Sequence, residues 1–306
     1  MKHIVFIYII ILAGCLSACQ KEDNLTSSNI SDLFAPNPNA TDAESVLRKN
    51  FYEATGCYIL FNDTLRHEYK GVDVYGNPYY ETELVGLEWN LTSVGSTRYI
   101  CEYLDSQEQK QKGADFVQKY LIPYVKDVLP YSILLLNKID KHDIVSGSYQ
   151  YIESPLAYSC IRCTAININD LWELEEDRER LKIFAQDICC RIIFSNWGGD
   201  PTNYYQGSKA YDFLKVNIYD YEKLKSRLGI SSGLGDEYIE DFYDEGFIVN
   251  SNEFYMPSAT EDAASYIKAC LTMTDEEFRE KFSDYKYVMK KYEIIKPLVD
   301  ATGIQF

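Results

Sequence analysis

The chain has 306 residues, of which 46% are hydrophobic and 25% are charged, and its formal net charge is −17. This composition is ordinary for a folded protein and excludes disordered, collagen-like and low-complexity architectures. The length allows one large domain or two modest ones, and the strong negative charge argues against nucleic acid as a partner. Only three histidines are present, which leaves little support for histidine-based catalysis.

Residues 1–18 are predicted to be a lipoprotein signal peptide. Lys2 and His3 precede the apolar run Ile4–Ala13, which is too short to span a bilayer as a stable helix. Two short segments after this run end in Cys15 and Cys19, and both resemble the lipobox of bacterial lipoproteins, in which the cysteine after the cleavage site carries the lipid. A plain cleaved signal with an incidental cysteine is the other interpretation.

We favour Cys19 as the lipidated residue, with Cys15 as the alternative, because the polar, acidic run Gln20–Asp23 follows it directly. Such a run resembles the signal that sends some Gram-negative lipoproteins to the outer face of the outer membrane. The mature protein is therefore expected to be anchored to that membrane by acyl chains, exposed at the cell surface, and not to span the bilayer. Residues 19–42 are rich in Asn, Ser, Asp and Pro and are predicted to form a flexible tether.

Residues 43–306 are predicted to form an α+β domain. Apolar and β-branched runs predict strands at 57–62, 131–139 and 158–168, and Tyr75-Gly76-Asn77-Pro78 predicts a turn between two extended stretches. Helical periodicity is predicted at 43–54, 105–129 (divided by Pro123), 171–195, 208–228, 259–270, 274–282 and 284–301. The order indicates a mixed sheet in an α/β part at 43–170, followed by a mostly helical part at 171–306.

Cys160-Ile161-Arg162-Cys163 has the C-x-x-C spacing that is typical of redox and metal sites. If these residues belong to one strand, positions i and i+3 point to opposite faces, and the two sulfurs do not converge. No second C-x-x-C is present to complete a zinc knuckle. We therefore predict that both cysteines are buried core residues.

Histidine and tyrosine give two further sets of candidates. His67 and His142 are the only histidines after the signal peptide, and each lies in a charged stretch typical of a solvated loop. Tyrosine is frequent, at 27 residues, and exposed tyrosines could stack on sugar rings or hold a peptide strand, although core packing accounts for most tyrosines in proteins. The tyrosine candidates are Tyr151, Tyr204, Tyr205, Tyr211, Tyr219 and Tyr221.

Five segments, taken in order, resemble the substrate-import-associated zinc metallohydrolases, a family of zinc-binding metallopeptidase lipoproteins found beside outer-membrane nutrient importers. The resemblance extends from about residue 45 to the end of the chain and implies a zincin-like metallopeptidase fold with zinc as the family's cofactor. The matching stretches are Ile59–Tyr69, Gly71–Glu81, Leu129–Ile139, Glu245–Ile267 and Tyr292–Ile304.

In that family a helix bearing H-E-x-x-H binds zinc through its two histidines, and the glutamate activates the bound water. The resemblance implies that the corresponding helix is Leu181–Asn196. In the best register the five motif positions hold Gln186, Asp187, Ile188, Cys189 and Cys190. Both histidines are therefore replaced, and the glutamate is replaced by the shorter Asp187. The resemblance places Glu261 at the position of a third, carboxylate ligand.

The replaced residues would support zinc chemistry poorly. Cys190 as a thiolate and Glu261 could bind zinc and Asp187 could act as a weak base, but Gln186 is a poor ligand, and catalytic zinc sites keep three good protein ligands. The shorter Asp187 also withdraws the base, and misplacement of a catalytic group costs roughly a hundredfold in rate per ångström. We therefore expect no zinc or weakly bound zinc.

The function expected from these observations is non-catalytic: a binding or accessory protein that captures peptide or glycan beside an outer-membrane importer. One alternative is an active zinc metallopeptidase that uses the non-standard ligands Cys190 and Glu261, with His67 or His142 brought in by the fold. A structural subunit of an importer complex is the other alternative.

Overall fold

The computed structural model describes residues 32–87, 97–126, 130–174, 177–196 and 259–306, with the shorter pieces 212–213, 215–216, 226, 239–249 and 257. Leu33–Phe306 form one compact unit. The predicted signal peptide, with Cys15 and Cys19, lies outside the described residues, as do the candidates Tyr204, Tyr205, Tyr211, Tyr219 and Tyr221. In the part of the chain that is described, no helix is both long enough and apolar enough to cross a membrane.

The prediction of an α+β fold is confirmed. The strands are β1 (Tyr58–Leu60), β2 (Thr64–Val72), β3 (Pro78–Leu84), β4 (Thr97–Glu102), β5 (Ser132–Leu136), β6 (Lys138–Val145), β7 (Ser148–Glu153), β8 (Ala157–Ser159) and β9 (Thr164–Asn167). The helices are α1 (Ala43–Thr55), α2 (Gln107–Phe116), α3 (Ile122–Val125), α4 (Arg178–Asn196), α5 (Ile239–Asp244), α6 (Ala259–Thr272), α7 (Asp275–Phe282) and α8 (Lys286–Asp300).

The predicted helix at 105–129 is divided, as expected, at its proline. A π-helical turn, Val117–Leu121, joins α2 to α3, and Pro123 lies in the first turn of α3. Proline has no N–H to donate and its ring clashes with the carbonyl four residues earlier, so the backbone widens into the π-helical turn before the helix resumes.

The central sheet has the strand order β1-β5-β9-β8, in which β1, β5 and β9 are parallel and β8 is antiparallel to β9. All residues of β5 are buried, which explains why its sequence is continuously apolar after Ser132. Ile133 and Leu135 pack into the larger core cluster, whereas Leu134 and Leu136 pack into a smaller one. The alternation shows that the sheet separates two hydrophobic cores.

Two predicted strands are interrupted. The run predicted at 131–139 ends its first strand at Leu136, and β6 begins after Asn137. The run predicted at 158–168 is a hairpin, because the Cys160 N–H donates to the Cys163 carbonyl oxygen at 2.8 Å and the chain reverses between β8 and β9. The two sulfurs lie 3.6 Å apart, so the prediction that they do not converge is wrong.

Two further sheets are antiparallel and largely exposed. One is the hairpin β2–β3, whose chain reversal at 73–77 confirms the predicted turn, and the other has the order β4-β6-β7. His67 is exposed, as expected of a surface histidine, and His142 is partly exposed, but they lie on β2 and β6 rather than in loops. Strands that are polar on both faces resemble loops in sequence, because they lack the apolar alternation of a half-buried strand.

The C-terminal end of the predicted tether, residues 33–42, is packed on the folded domain. Phe34 is buried, and the Arg48 guanidinium donates hydrogen bonds to the carbonyl oxygens of Phe34 at 2.7 Å and of Ile59 at 3.0 Å. The Lys49 ammonium donates to the carbonyl oxygens of Pro38 and Ala40. Residues 33–42 therefore lie on the folded body, because a buried aromatic ring offsets the polar composition of the segment.

A buried ion pair joins α6 to α8 within the helical part. The Lys291 ammonium contacts the Asp262 carboxylate, and both side chains are 0% exposed. The ammonium also donates to the Gly246 carbonyl oxygen at 2.9 Å. The rings of Phe213, Phe247 and Tyr266 lie between 4.6 and 5.5 Å from it, close enough for cation–π attraction.

Candidate functional site

The residues that the resemblance assigns to zinc chemistry lie on α4 and α6, which pack against each other. From Phe184 to Phe194, every residue of α4 is buried except Asp187 and Arg191, which are partly exposed, and this is typical of a helix buried within a protein. Its position between the central sheet and α6 therefore follows from its sequence.

The motif positions on α4 are mostly packed into the core. Gln186 is 8% exposed, Ile188 and Cys189 are 0% exposed, and Cys190 is 1% exposed. Burial raises the pKa of the Cys190 thiol well above its ordinary value. Because a thiol binds zinc as the thiolate, the burial of Cys190 opposes metal binding there.

Asp187, at the position of the general base, is paired with a cation. The Lys268 ammonium on α6 lies 2.6 Å from the Asp187 carboxylate, and both side chains are a little over one-third exposed. The carboxylate therefore accepts a charge-assisted hydrogen bond across the α4–α6 interface.

Glu261, at the position of the third ligand, also faces a cation. Arg191 is half-buried, and burial is the main effect that lowers the pKa of its guanidinium, whereas the carboxylates of Glu261 and Glu153 favour its charged form. Two side-chain cations, Lys268 and Arg191, thus offset the negative charge of the two acids that the resemblance places in the zinc site.

This donor set does not fit a catalytic zinc ion. It consists of the Gln186 amide, the buried Cys190 thiol, the Asp187 carboxylate paired with Lys268, and Glu261. Within the described residues, no three His, Cys, Asp or Glu side chains are grouped so that they could hold a metal ion. Catalytic zinc requires three good protein ligands around an open position.

Both histidines have partners on the exposed sheets. The His67 ring stacks on Tyr80 at 4.7 Å, and its Nδ1 lies 2.8 Å from Thr82 Oγ1. The His142 ring packs edge-on against Tyr151 at 5.9 Å. These contacts give each ring a role in packing on its own sheet.

An open cavity of about 470 Å³ lies beside α4. Asp187 is the one motif position among its described lining residues, while Cys190 is buried in the core and Glu261 lies on α6. Among the described lining residues, three carboxylates and one guanidinium give the wall a net negative charge. The lining residues are Asp170, Glu173, Leu174, Arg180, Ile183, Phe184 and Asp187.

The exposed sheets present tyrosine rings to solvent. Tyr151 is 57% exposed, which confirms that candidate's place on the surface. The other exposed rings on these sheets were missed by sequence reasoning: Tyr69, Tyr75, Tyr79, Tyr80 and Tyr149. The scarcity of aliphatic residues between 64 and 84 is the signal that could have found most of them, because a hairpin with so few aliphatic residues cannot bury both faces.

Lys268 and Arg191 were also missed, although their spacing carries a signal. Arg191 is four residues after Asp187, and Lys268 is seven residues after Glu261, so that each cation lies on the same helical face as an acid. Which acid each cation meets depends on the packing of α4 against α6, which no spacing along the chain reveals.

Comparison with known proteins identified no similar protein. No family model matches the chain, and no curated protein and no solved structure matches it either. The α+β class therefore rests on the structure itself.

Proposed function

We propose that this chain is a surface lipoprotein with a zincin-like scaffold whose zinc site has degenerated, and that it acts as a non-catalytic binding or accessory protein. In this role it captures peptide or glycan beside an outer-membrane nutrient importer, anchored through Cys19. The observation that carries the proposal is the ion pair between Asp187 and Lys268, 2.6 Å apart across the α4–α6 interface.

The pair bears on function because Asp187 holds the position of the general base, on which hydrolysis would depend. A general base needs a lone pair directed at the water molecule it activates, and the Oδ1 atom of Asp187 instead accepts a hydrogen bond from the Lys268 ammonium. A zinc ion placed near this carboxylate would be repelled by Lys268 and Arg191. The buried Cys190 would also have to lose its proton in the core.

Two surfaces support ligand capture. The acid-lined cavity beside α4 suits a basic peptide side chain, since its wall joins carboxylates to the apolar side chains of Leu174, Ile183 and Phe184. On the β2–β3 hairpin, Tyr69 is 58% exposed and Tyr80 is 46% exposed. Exposed aromatic rings on a surface typically mark a site for stacking on sugar rings or peptide groups.

The experiment measures binding of the full chain, in detergent, to an array of glycans and to a library of lysine- and arginine-containing peptides. The variant Tyr69→Ser/Tyr80→Ser removes two exposed rings, and Tyr287→Ser removes one that is 37% exposed on α8 and serves as the matched control. We expect the hairpin variant to bind its ligand at least about tenfold more weakly, while the control stays within about twofold of the natural chain.

The same samples also test for catalysis. Mass spectrometry of the peptides after incubation is expected to show no cleavage by the natural chain. Cleavage that a zinc chelator abolishes would overturn the proposal and favour the alternative, an active zinc metallopeptidase using Cys190 and Glu261. Absence of binding to both ligand classes would also contradict it and favour a structural role.

A further inference from the structure

The hairpin turn between β8 and β9 places two thiols in contact. Cys160 and Cys163 are the first and last residues of the turn, and their sulfurs are 3.6 Å apart. The S–S bond of a disulfide is about 2.05 Å long, so each sulfur would have to move by less than about 1 Å to form the bond.

The two thiols differ in access to solvent. Cys160 is half-buried, whereas Cys163 is 3% exposed and belongs to the smaller hydrophobic core. An external disulfide can therefore reach the Cys160 sulfur before it reaches Cys163. Such a pair consists of an attacking thiol at the surface and a resolving thiol beneath it.

The contact between the two sulfurs also shifts the pKa values of the two thiols in opposite directions. A hydrogen bond from the Cys163 thiol is the main cause that lowers the pKa of Cys160 to about 6, and the backbone N–H groups of Arg162 and Cys163 add to it. The same contact, together with burial, raises the pKa of Cys163 far above its usual range. Because the thiolate is the nucleophile, the accessible cysteine is also the more reactive one near neutral pH.

Contacts outside the turn hold it in place. The Arg162 guanidinium forms an ion pair with Glu83 at 2.8 Å and donates to the Leu84 carbonyl oxygen at 3.3 Å. The Ser132 hydroxyl donates to the Arg162 carbonyl oxygen at 2.9 Å. The turn is thus tied to β3 and β5, which keeps the two sulfurs close in the reduced state.

A surface for a substrate lies beside the turn. Ile161 is 63% exposed, and a cavity of about 260 Å³ opens next to it. Most of its described lining residues are apolar, which suits an apolar side chain of an extended peptide. The lining residues are Leu84, Val85, Gly86, Ile161 and Arg162.

We propose that Cys160 and Cys163 form a reversible dithiol–disulfide site that exchanges with disulfides of extended peptides. The Cys160 thiolate attacks one sulfur of the substrate disulfide, which forms a mixed disulfide and releases the other substrate sulfur as a thiolate. Cys163 then gives its proton to the released substrate thiolate and attacks the Cys160 sulfur, which forms the Cys160–Cys163 bond and releases the second substrate thiolate, which takes a proton from water. The protein dithiol is oxidised by two electrons, and the substrate disulfide is reduced to two thiols.

The test uses the full chain in detergent, reduced and then freed of reductant, with bis(2-hydroxyethyl) disulfide as the probe. Peptide mass spectrometry after alkylation is expected to find a Cys160–Cys163 disulfide and two released thiols per chain oxidised. Cys163→Ser is expected to trap the mixed disulfide on Cys160, and Cys160→Ser to form neither product. Cys101→Ser is the control, because Cys101 packs against the same small core, and it should behave as the natural chain.

A second arm separates a peptide substrate from a small-molecule one. The probe is the oxidised dimer of a short peptide with leucine next to its cysteine. Ile161→Ser should slow the reaction with this dimer about fivefold and leave the reaction with the small disulfide unchanged, because only the peptide contacts the apolar wall. Equal rates for both probes in both proteins would overturn the peptide assignment.

The alkylation rate of Cys160 as a function of pH tests the assignment of the attacking thiol. The titratable or charged groups around the pair are Cys101 on β4, Glu83 on β3 and Arg162 in the turn. We expect a midpoint near pH 6 in the natural chain and a higher midpoint in Cys163→Ser, which lacks the donated hydrogen bond. A midpoint of 8 to 9 in both proteins, or oxidation that links Cys101 to Cys163, would overturn the proposal.

Discussion

Two lysine–carboxylate pairs in this protein differ in burial, and burial determines what each contributes. Lys291 and Asp262 are both 0% exposed, while Lys268 and Asp187 are 36% and 38% exposed. Water screens the second pair but not the first. Removing one partner of a buried pair leaves the other charge without compensation, whereas removing one partner of an exposed pair leaves a hydrated ion.

Lys291→Met is therefore expected to lower the free energy of unfolding by about 3–5 kcal/mol, measured by urea denaturation. The double variant Lys291→Met/Asp262→Leu should recover much of this loss, since neither charge remains in the core. Lys290→Met, at the exposed neighbouring position, should change stability by less than about 0.5 kcal/mol. A loss below about 1 kcal/mol for Lys291→Met would show that the pair is hydrated in solution.

Lys268→Met is expected to cost less than about 1 kcal/mol in the same measurement, because its pair with Asp187 is partly exposed. It should also leave the chain without peptidase activity, since Cys190 stays buried and Gln186 stays a poor ligand. Zinc-dependent hydrolysis that appears in Lys268→Met would mean that the lysine alone blocks an otherwise intact site.

Among the elements, four helices were predicted well, but α4, predicted at 171–195, begins at Arg178 after a 3₁₀-helical turn at Asn169–Glu173. Helices α1, α6, α7 and α8 begin and end within two residues of their predicted bounds. The hairpin at Cys160–Cys163 was missed because Ile161 and Arg162 are not typical turn residues. Local sequence therefore does not distinguish one long strand from two short strands at this position.

Helix α2 provides a test in which helix propensity and packing oppose each other. A Cβ atom at Gly113 would lie 2.8 Å from both Ile168 Cδ1 and Leu135 Cδ2, in a fully buried part of the larger core. Alanine favours a helix over glycine by about 1 kcal/mol, but overpacking a core costs about 1–3 kcal/mol.

We therefore expect Gly113→Ala to destabilise the protein by about 1 kcal/mol, measured by urea denaturation. Lys112→Ala, at the exposed neighbouring position, should be close to neutral. A gain in stability for Gly113→Ala would mean that α2 can move away from the sheet without cost.

For the whole molecule, the sequence predicts the class of fold but not the state of the site. Strands before helices indicate an α+β domain. The contact between Asp187 and Lys268 joins residues 81 positions apart and depends on how α4 packs against α6. The burial of Cys190 likewise follows from the surrounding core rather than from its neighbours in sequence.

Membrane anchoring is a prediction for the whole chain. Metabolic labelling with radioactive palmitate, in a Gram-negative host that processes lipoproteins, is expected to label the natural chain and Cys15→Ser. Cys19→Ser should lose the label, because the predicted acyl acceptor is removed. Label that is lost in Cys15→Ser and kept in Cys19→Ser would reassign the cleavage site, and label in neither protein would leave a plain signal peptide.

The metal content of the full chain tests most directly whether the zinc site has degenerated. Elemental mass spectrometry after dialysis would be carried out on the natural chain and on Gln186→His/Asp187→Glu/Cys190→His, which restores the family motif. We expect far less than one zinc ion per natural chain and a gain of zinc in the variant, because histidines supply the missing ligands. Stoichiometric zinc retained by the natural chain would show that the zinc site has not degenerated.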